Sequence, residues 1–119
     1  MKVTLLISTY NLPDALNVVL DSVSRQTRMP DEIVVCDDGS GPDTAAVIER
    51  WRKRMSAPLI HVWQPDEGFR LAASRNKGIA ASTGDYIIQI DGDVMLDRHF
   101  VADHARKAVP GFYIKGSRA

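Results

Sequence analysis

Short apolar runs alternate along the chain with longer segments whose apolar residues recur at helical spacing. The runs are rich in β-branched residues and too short for helices, so we predict buried strands at 2–8, 32–36, 58–63 and 85–90. The spacing predicts helices between them, starting at Pro13 and Pro42, over 70–82, and from Asp97 to about Ala108. A fifth strand is predicted over 111–117.

Strict alternation of buried strands and helices predicts an α/β fold with a mostly parallel sheet and helices on both faces. No internal repeat, low-complexity tract or linker interrupts the pattern, so residues 1–119 are expected to form a single domain.

Composition excludes several classes of function. Basic and acidic residues both number 15, which gives no long-range attraction to nucleic acid or to an anionic membrane. Cys36 is the only cysteine, so an intrachain disulfide is excluded, and its apolar surroundings predict a buried, inert thiol. No apolar stretch approaches the roughly 20 residues of a membrane span, and we expect a cytoplasmic chain.

Polar residues follow three of the four strands. In parallel α/β sheets, ligands bind beyond the carboxyl ends of the strands where the strand order reverses, so these residues should share one rim. They are Ser8, Thr9, Tyr10 and Asn11 after the first strand, Asp37, Asp38, Gly39 and Ser40 after the second, and Asp91, Gly92 and Asp93 after the fourth. The helix over 70–82 should bring Arg75 and Asn76 towards the same rim.

Asp91 and Asp93 form the most specific candidate site. Residues two apart in extended chain point the same way, and Mg²⁺ or Mn²⁺ typically takes one or two carboxylates together with phosphate oxygens. The pair therefore predicts a divalent-cation site, with an ordinary Asp-Gly turn as the alternative. His99 lies close enough in sequence to be a minor metal candidate.

The other rim residues each allow two interpretations. One of Asp37 and Asp38 could accept a hydrogen bond from a base or ribose, while Asp38 could instead cap the next helix. Tyr10 could stack on a flat ring or simply pack at the sheet edge. Arg75 could pair with Asp91 or Asp37, face phosphates, or lie in solvent.

Competing motifs fit less well. The segment "GSGPDT" has Thr44 where a dinucleotide-binding loop needs its third glycine, and "GIAASTGD" has Asp85 where a phosphate-binding loop needs lysine. The segment "IDGDVM" is similar to the signature of dehalogenase-type phosphatases, with Asp91 as nucleophile, although Met95 departs from that signature.

The ordered segments "LLISTYN", "VVCDDGS" and "GFRLAASRNKGIAASTGDYIIQIDGDV" resemble those of the inverting family 2 glycosyltransferases, which have the Rossmann-like GT-A fold. The resemblance runs from Val3 to about Gly116. The stretch from Gly68 to Asp93 is most similar to bacterial enzymes that build surface polysaccharides, including the chondroitin-polymerase-like branch. Ser8 departs from the family, in which many members have proline.

The resemblance implies a binding site for a nucleotide diphosphate sugar, usually a UDP-sugar. Thr9 and Tyr10 would belong to it, with Tyr10 stacked on the base, and Asp37 or Asp38 would bind the base or ribose. Arg75 would support the pocket. Asp93 would be the direct ligand of Mn²⁺ or Mg²⁺, with Asp91 also near the metal and closer to the ribose or donor sugar.

The family also implies transfer of the sugar, with inversion, to the hydroxyl of a glycan or other acceptor. Family members supply the general base after the fifth strand, and no residue up to Ala119 can be assigned that role. We therefore expect a truncated donor-binding half, inactive alone and prone to self-association, whose full-length protein could lie at the periphery of the inner membrane. A non-catalytic nucleotide-binding or assembly module is the alternative.

Overall fold

The computed structural model describes residues 1–68, 70–107 and 113–115, the last three by their backbone alone. The chain forms five strands and four helices in strict alternation within these residues. Their bounds are β1 (Val3–Thr9), α1 (Pro13–Ser24), β2 (Glu32–Asp37), α2 (Pro42–Arg52), β3 (Leu59–Trp63), α3 (Leu71–Ala81), β4 (Tyr86–Asp91), α4 (Phe100–Lys107) and β5 (Tyr113–Lys115).

Every predicted element is present, and the boundaries differ by a few residues at most. The largest difference is at the start of α4, which was predicted at Asp97 and begins at Phe100. The backbone N–H of Phe100 donates to the carbonyl of Asp97 at 3.0 Å, so a tight turn precedes the helix. The parts of the predicted fifth strand on either side of β5 lie outside the described residues.

The sheet is entirely parallel, with the strand order β3-β2-β1-β4-β5. The chain adds β2 and β3 on one side of β1, then returns across the sheet to add β4 on the other side. The strand order therefore reverses between β1 and β4. At their carboxyl ends Ser8 pairs with Asp91, and Thr9 pairs with Asp37 of β2.

Helices cover both faces of the sheet, as predicted. The larger core lies on the face that packs against α1 and α2 and contains Leu5, Ile7, Leu16, Leu20 and Ile48. The smaller core lies under α3 and contains Leu6, Val34 and Cys36, with Ile79 packed against it. None of the described helices is long and apolar enough to cross a membrane.

Gly78 brings α3 unusually close to the sheet. A Cβ at this position would lie 2.0 Å from Sγ of Cys36 and 3.2 Å from Cδ1 of Leu6. Burial raises the pKa of Cys36 to about 12, which agrees with the prediction of an inert thiol. Arg75 lies about one turn before Gly78, so this close approach sets how far the arginine stands from the sheet.

We expect Gly78→Ala to lower the free energy of unfolding by about 1–3 kcal/mol, because the added methyl overpacks the contact with Cys36. Adding Cys36→Ala removes the sulfur, and the nearest remaining atom of residue 36 lies 3.6 Å from the new methyl. The double variant should therefore lose less free energy of unfolding, measured with urea, than the sum of the losses in the two single variants. Strictly additive losses would show that this contact does not determine the position of α3.

Candidate functional site

The loops after β1, β2, β3 and β4 meet at the carboxyl edge of the sheet. The loops after β1 and β4 and the start of α3 form an open cleft of about 380 Å³, whose lining includes Thr9, Tyr10, Leu71, Asp91, Gly92 and Asp93. A smaller pocket of about 120 Å³ is lined by Tyr10, Asp38, Asp66 and Gly68. Tyr10 lines both cavities, so the predicted nucleotide-binding and metal-binding residues lie side by side.

The acidic pair enters the cleft from the end of β4. Asp91 is the last residue of the strand, and the N–H of Val94 donates to its carbonyl at 3.3 Å, which places Asp93 in a tight turn. The expectation that extended chain aligns the two carboxylates is therefore wrong, although both line the same cleft. The turn rather than the strand brings them together.

Gly92 lets this turn pack directly on β1. Its N–H donates to the carbonyl of Ser8 at 2.7 Å, and a Cβ would lie 2.6 Å from that oxygen and 3.1 Å from Cβ of Thr9. Any other residue here would push the acidic turn away from the cleft. The buried Oγ1 of Thr9, beside this turn, has no hydrogen-bond partner among the described residues.

Arg75 reaches the acidic pair from α3. Its Nη2 lies 3.8 Å from Oδ1 of Asp91, and both side chains are partly buried. Of the two partners predicted for this arginine, the structure brings it to Asp91 rather than Asp37. A cation here reduces the repulsion among the acids of the cleft.

Asp37 points into the protein rather than into either cavity. Its Oδ2 lies 2.7 Å from Nε2 of His61, and its Oδ1 accepts the N–H of Ser40 at 2.8 Å. Burial alone would raise the pKa of Asp37, but the hydrogen bonds from His61 and Ser40 outweigh it and lower the pKa. The carboxylate therefore stabilises the loop after β2.

Asp38 points the other way, into the smaller pocket. Its Oδ1 accepts Nε2–H of Gln64 at 2.6 Å, and its Oδ2 accepts the N–H of Arg70 at 2.8 Å. Its backbone N–H donates to the carbonyl of Thr9 at 3.2 Å. The alternative of a helix cap is not observed, because the N-cap of α2 is Gly41 and no side chain bonds to it as a cap.

Tyr10 separates the two cavities and keeps 42% of its surface exposed. Its hydroxyl donates to Oδ2 of Asp66 at 2.6 Å, and this bond to a carboxylate raises the pKa of Tyr10. The ring is thus held by its hydroxyl while much of it stays open to a ligand.

Asn11 ties two of the loops together. Its φ of 48° is in the left-handed region, where asparagine is tolerated better than most residues. Its N–H donates to Oγ of Ser40 at 2.8 Å, and its Oδ1 accepts the N–H of Gly41 at 2.8 Å. The loops after β1 and β2 therefore form one unit.

Sequence reasoning missed the loop after β3. Gln64 and Asp66 belong to the site through their bonds to Asp38 and Tyr10. The segment "QPDEG" directly follows β3 and is as polar as the other strand ends, so the same rule applied to the third strand would have found it.

His99 does not approach the acidic pair. Its Nδ1 lies 3.2 Å from Oγ1 of Thr27, and it lines a groove with Met1 and Val3 at the amino end of β1. Its prediction as a minor metal candidate is wrong, because α4 and the loop after α1 hold it at the opposite edge of the sheet.

The donor set at the acidic pair fits a cation that is shared with a ligand. Within the described residues, no three acidic, histidine or cysteine side chains are grouped closely enough to hold a metal alone. Asp91 and Asp93 supply two hard oxygen donors, which suits Mg²⁺ or Mn²⁺ when phosphate oxygens complete the coordination.

Comparisons with known proteins identify the family of the chain. The family described as Glycosyl transferase family 2 matches residues 4–116. A hyaluronan synthase from Pasteurella multocida is 32% identical over 92 residues, covering 76% of this chain and 9% of that protein. The glycosyltransferase GlyA from Streptococcus pneumoniae is 32% identical over 108 residues, covering 91% of this chain and 15% of that protein.

A solved structure, that of S. aureus TarS 1-349 in complex with UDP-GlcNAc, matches with a TM-score of 0.73 and 24% identity. The match covers 89% of this chain and 30% of that chain, and it confirms the predicted α/β glycosyltransferase fold. The chain spans less than a third of the length of each of these three proteins. The family match also argues against the phosphatase hypothesis with Asp91 as nucleophile.

We expect Asp37→Asn to lower the free energy of unfolding at pH 7 by about 1–3 kcal/mol, because His61 loses its charged partner. A carboxylate with a lowered pKa stabilises the fold above its unfolded pKa of about 3.9, and this stabilisation is lost as the pH falls through the folded value. The stability of Asp37→Asn should therefore fall less than that of the wild type between about pH 5 and pH 3.

Urea unfolding at each pH measures this slope. Asp43→Asn, at an exposed carboxylate in the first turn of α2, is the matched control and should leave the slope almost unchanged. Part of the slope should remain in both variants, because hydrogen bonds from Thr4 and Thr83 outweigh burial and also lower the pKa of Glu32. Equal slopes for Asp37→Asn and wild type would contradict the structural role of Asp37.

Proposed function

The chain belongs to glycosyl transferase family 2, and we propose that it binds a nucleotide diphosphate sugar, most simply a UDP-sugar, for inverting transfer to an acceptor hydroxyl. One observation carries the proposal: Tyr10 lines both the pocket that contains Asp38 and the cleft that contains Asp91 and Asp93. The pocket that would bind the base and the cleft that would bind the phosphates are thus contiguous.

The smaller pocket receives the nucleobase. The exposed ring of Tyr10 offers a flat apolar surface for stacking. Asp38 lines the pocket and accepts an N–H of the base or a hydroxyl of the ribose, whereas Asp37 is already engaged by His61 and Ser40. Of the two predicted acids, Asp38 is the one in this role.

The larger cleft receives the diphosphate and the sugar. Asp93 and Asp91 would hold Mg²⁺ or Mn²⁺ there, and Arg75 orients Asp91 through their ion pair. Thr9 also lines this cleft, and its buried Oγ1 has no hydrogen-bond partner within the described part of the chain.

In the reaction, an acceptor hydroxyl attacks the anomeric carbon of the sugar from the face opposite the leaving group. The bond to the diphosphate breaks, and the nucleoside diphosphate departs with the electron pair. If Asp91 and Asp93 hold a divalent cation, it would supply Lewis-acid stabilisation of the charge on that leaving group. The described residues orient and bind the donor, and none of them is assigned as the base that takes the acceptor's proton.

The UDP-GlcNAc complex of TarS supports a UDP-sugar as donor, since the two folds superpose over most of this chain. The hyaluronan synthase among the relatives supports a glycan as acceptor. Both come to this chain by analogy, so the donor sugar and acceptor remain parts of the proposal.

We expect UDP to bind in the presence of Mn²⁺ and to bind at least about tenfold more weakly to Asp93→Asn and Asp91→Asn, because each removes a charged ligand from the cation site. Isothermal titration calorimetry with UDP, with and without Mn²⁺, measures the change. Asp21→Asn is the matched control, because Asp21 pairs with Arg25 on α1 and lines neither of the two cavities.

No UDP binding at millimolar concentration would contradict the proposal. Mn²⁺-dependent binding of UDP without transfer from any of a panel of UDP-sugars to an oligosaccharide, by the protein that contains this chain, would favour the non-catalytic nucleotide-binding module instead.

A further inference from the structure

Gln64 has a buried side chain whose donors are both engaged. Its Nε2 donates to Oδ1 of Asp38 at 2.6 Å and to the carbonyl of Arg70 at 3.3 Å. Its backbone N–H donates to the carbonyl of Asp37 at 3.1 Å. The residue therefore joins the end of β2 to both ends of the loop between β3 and α3.

The bonds to Asp38 fix the orientation of its carboxylate. Gln64 holds one oxygen and the N–H of Arg70 holds the other, so the carboxylate cannot rotate without losing one of them. Each oxygen keeps a second lone pair, since a carboxylate has about four acceptor sites. Those remaining sites are available to the pocket that Asp38 lines.

We infer that Gln64 is a positioning residue for nucleotide binding, because it orients the carboxylate of Asp38 and closes the loop that carries Asp66. The inference rests on the proposed function and adds to it a residue that acts on the nucleotide through Asp38. A neutral amide suits this position because it donates to a carboxylate without adding charge to the pocket.

The pocket around Gln64 is rich in acids. The titratable or charged side chains on the packed elements are Tyr10 after β1, Asp37 at the end of β2 and Asp38 after it, His61 on β3, Asp66, Glu67 and Arg70 on the loop after β3, and Arg75 on α3. Asp66 is bonded to Tyr10, and Asp37 to His61. Because the side chain of Gln64 already touches Asp38, a carboxylate at position 64 would face the carboxylate of Asp38 directly.

Gln64→Glu tests the inference, because it keeps the size of the side chain and replaces the donor by a carboxylate. At about pH 8.5 we expect UDP to bind at least tenfold more weakly than to wild type in the presence of Mn²⁺, since the two carboxylates repel each other. Two acids sharing a buried site take up one proton between them, and the protonated pair regains an O–H donor. The ratio of variant to wild-type Kd should fall to about threefold or less at pH 6.

Gln64→Met provides the comparison, because methionine has a similar length and no donor. The ratio of its Kd to the wild-type Kd should be raised at every pH, and this ratio should not fall at pH 6. Thermal unfolding without ligand at each pH separates loss of binding from loss of folding.

Gln26→Glu is the matched control. Gln26 is also a buried glutamine, whose Nε2 donates to the carbonyls of Ser22 and Asp97 far from the pocket. This variant should lose stability and keep the wild-type Kd at both pH values.

Equal affinity of Gln64→Glu and wild type at pH 8.5 would overturn the inference, as would a loss of affinity that does not recover at pH 6. Either result leaves the proposed function intact, provided that wild type binds UDP with Mn²⁺. Failure of wild type to bind UDP overturns both.

Discussion

The reversal of strand order beside β1 is the constraint on which the rest of the structure depends. After β3 the chain crosses the sheet as α3 and enters β4 on the far side of β1, so α3 covers the face opposite α1 and α2. Right-handed crossovers require this placement. The loop after β1 leads into α1, and the segment after β4 packs against α1 on the same face, where the N–H of Leu96 donates to Oγ of Ser22. The start of α3 comes from the other face, and the cleft at the carboxyl edge lies between it and these two loops.

The acids at this edge divide into two groups with different roles. Asp37 is fully satisfied inside the protein by His61 and Ser40, and its lowered pKa reflects that support. Asp91 and Asp93 line the open cleft, and Arg75 pairs with Asp91. Acids of the first kind stabilise the loops, whereas acids of the second kind line the cleft that we propose binds the diphosphate.

Much of the fold could be predicted from the sequence, because buried parallel strands leave apolar runs that do not resemble amphipathic helices. The convergence of Tyr10, Asp38 and the acidic pair followed from the general position of ligands in such sheets. Which of Asp37 and Asp38 faces the pocket could not be predicted. That choice depends on His61 and Gln64, whose contacts join β2 to β3 and its loop and have no local signature. The turn at Gly92 and Asp93 was offered only as an alternative to the cation site, because the sequence alone does not show where β4 ends.

The reciprocal bonds between Asn11 and the Ser40–Gly41 segment make the first two loops structurally interdependent. Asp38 adds the third loop to the same unit through Gln64 and Arg70. Exchanging a single loop with a relative would leave unmatched partners in the other two. In evolution or in engineering, a change in what this pocket binds therefore favours inheriting or transplanting the three segments as one block.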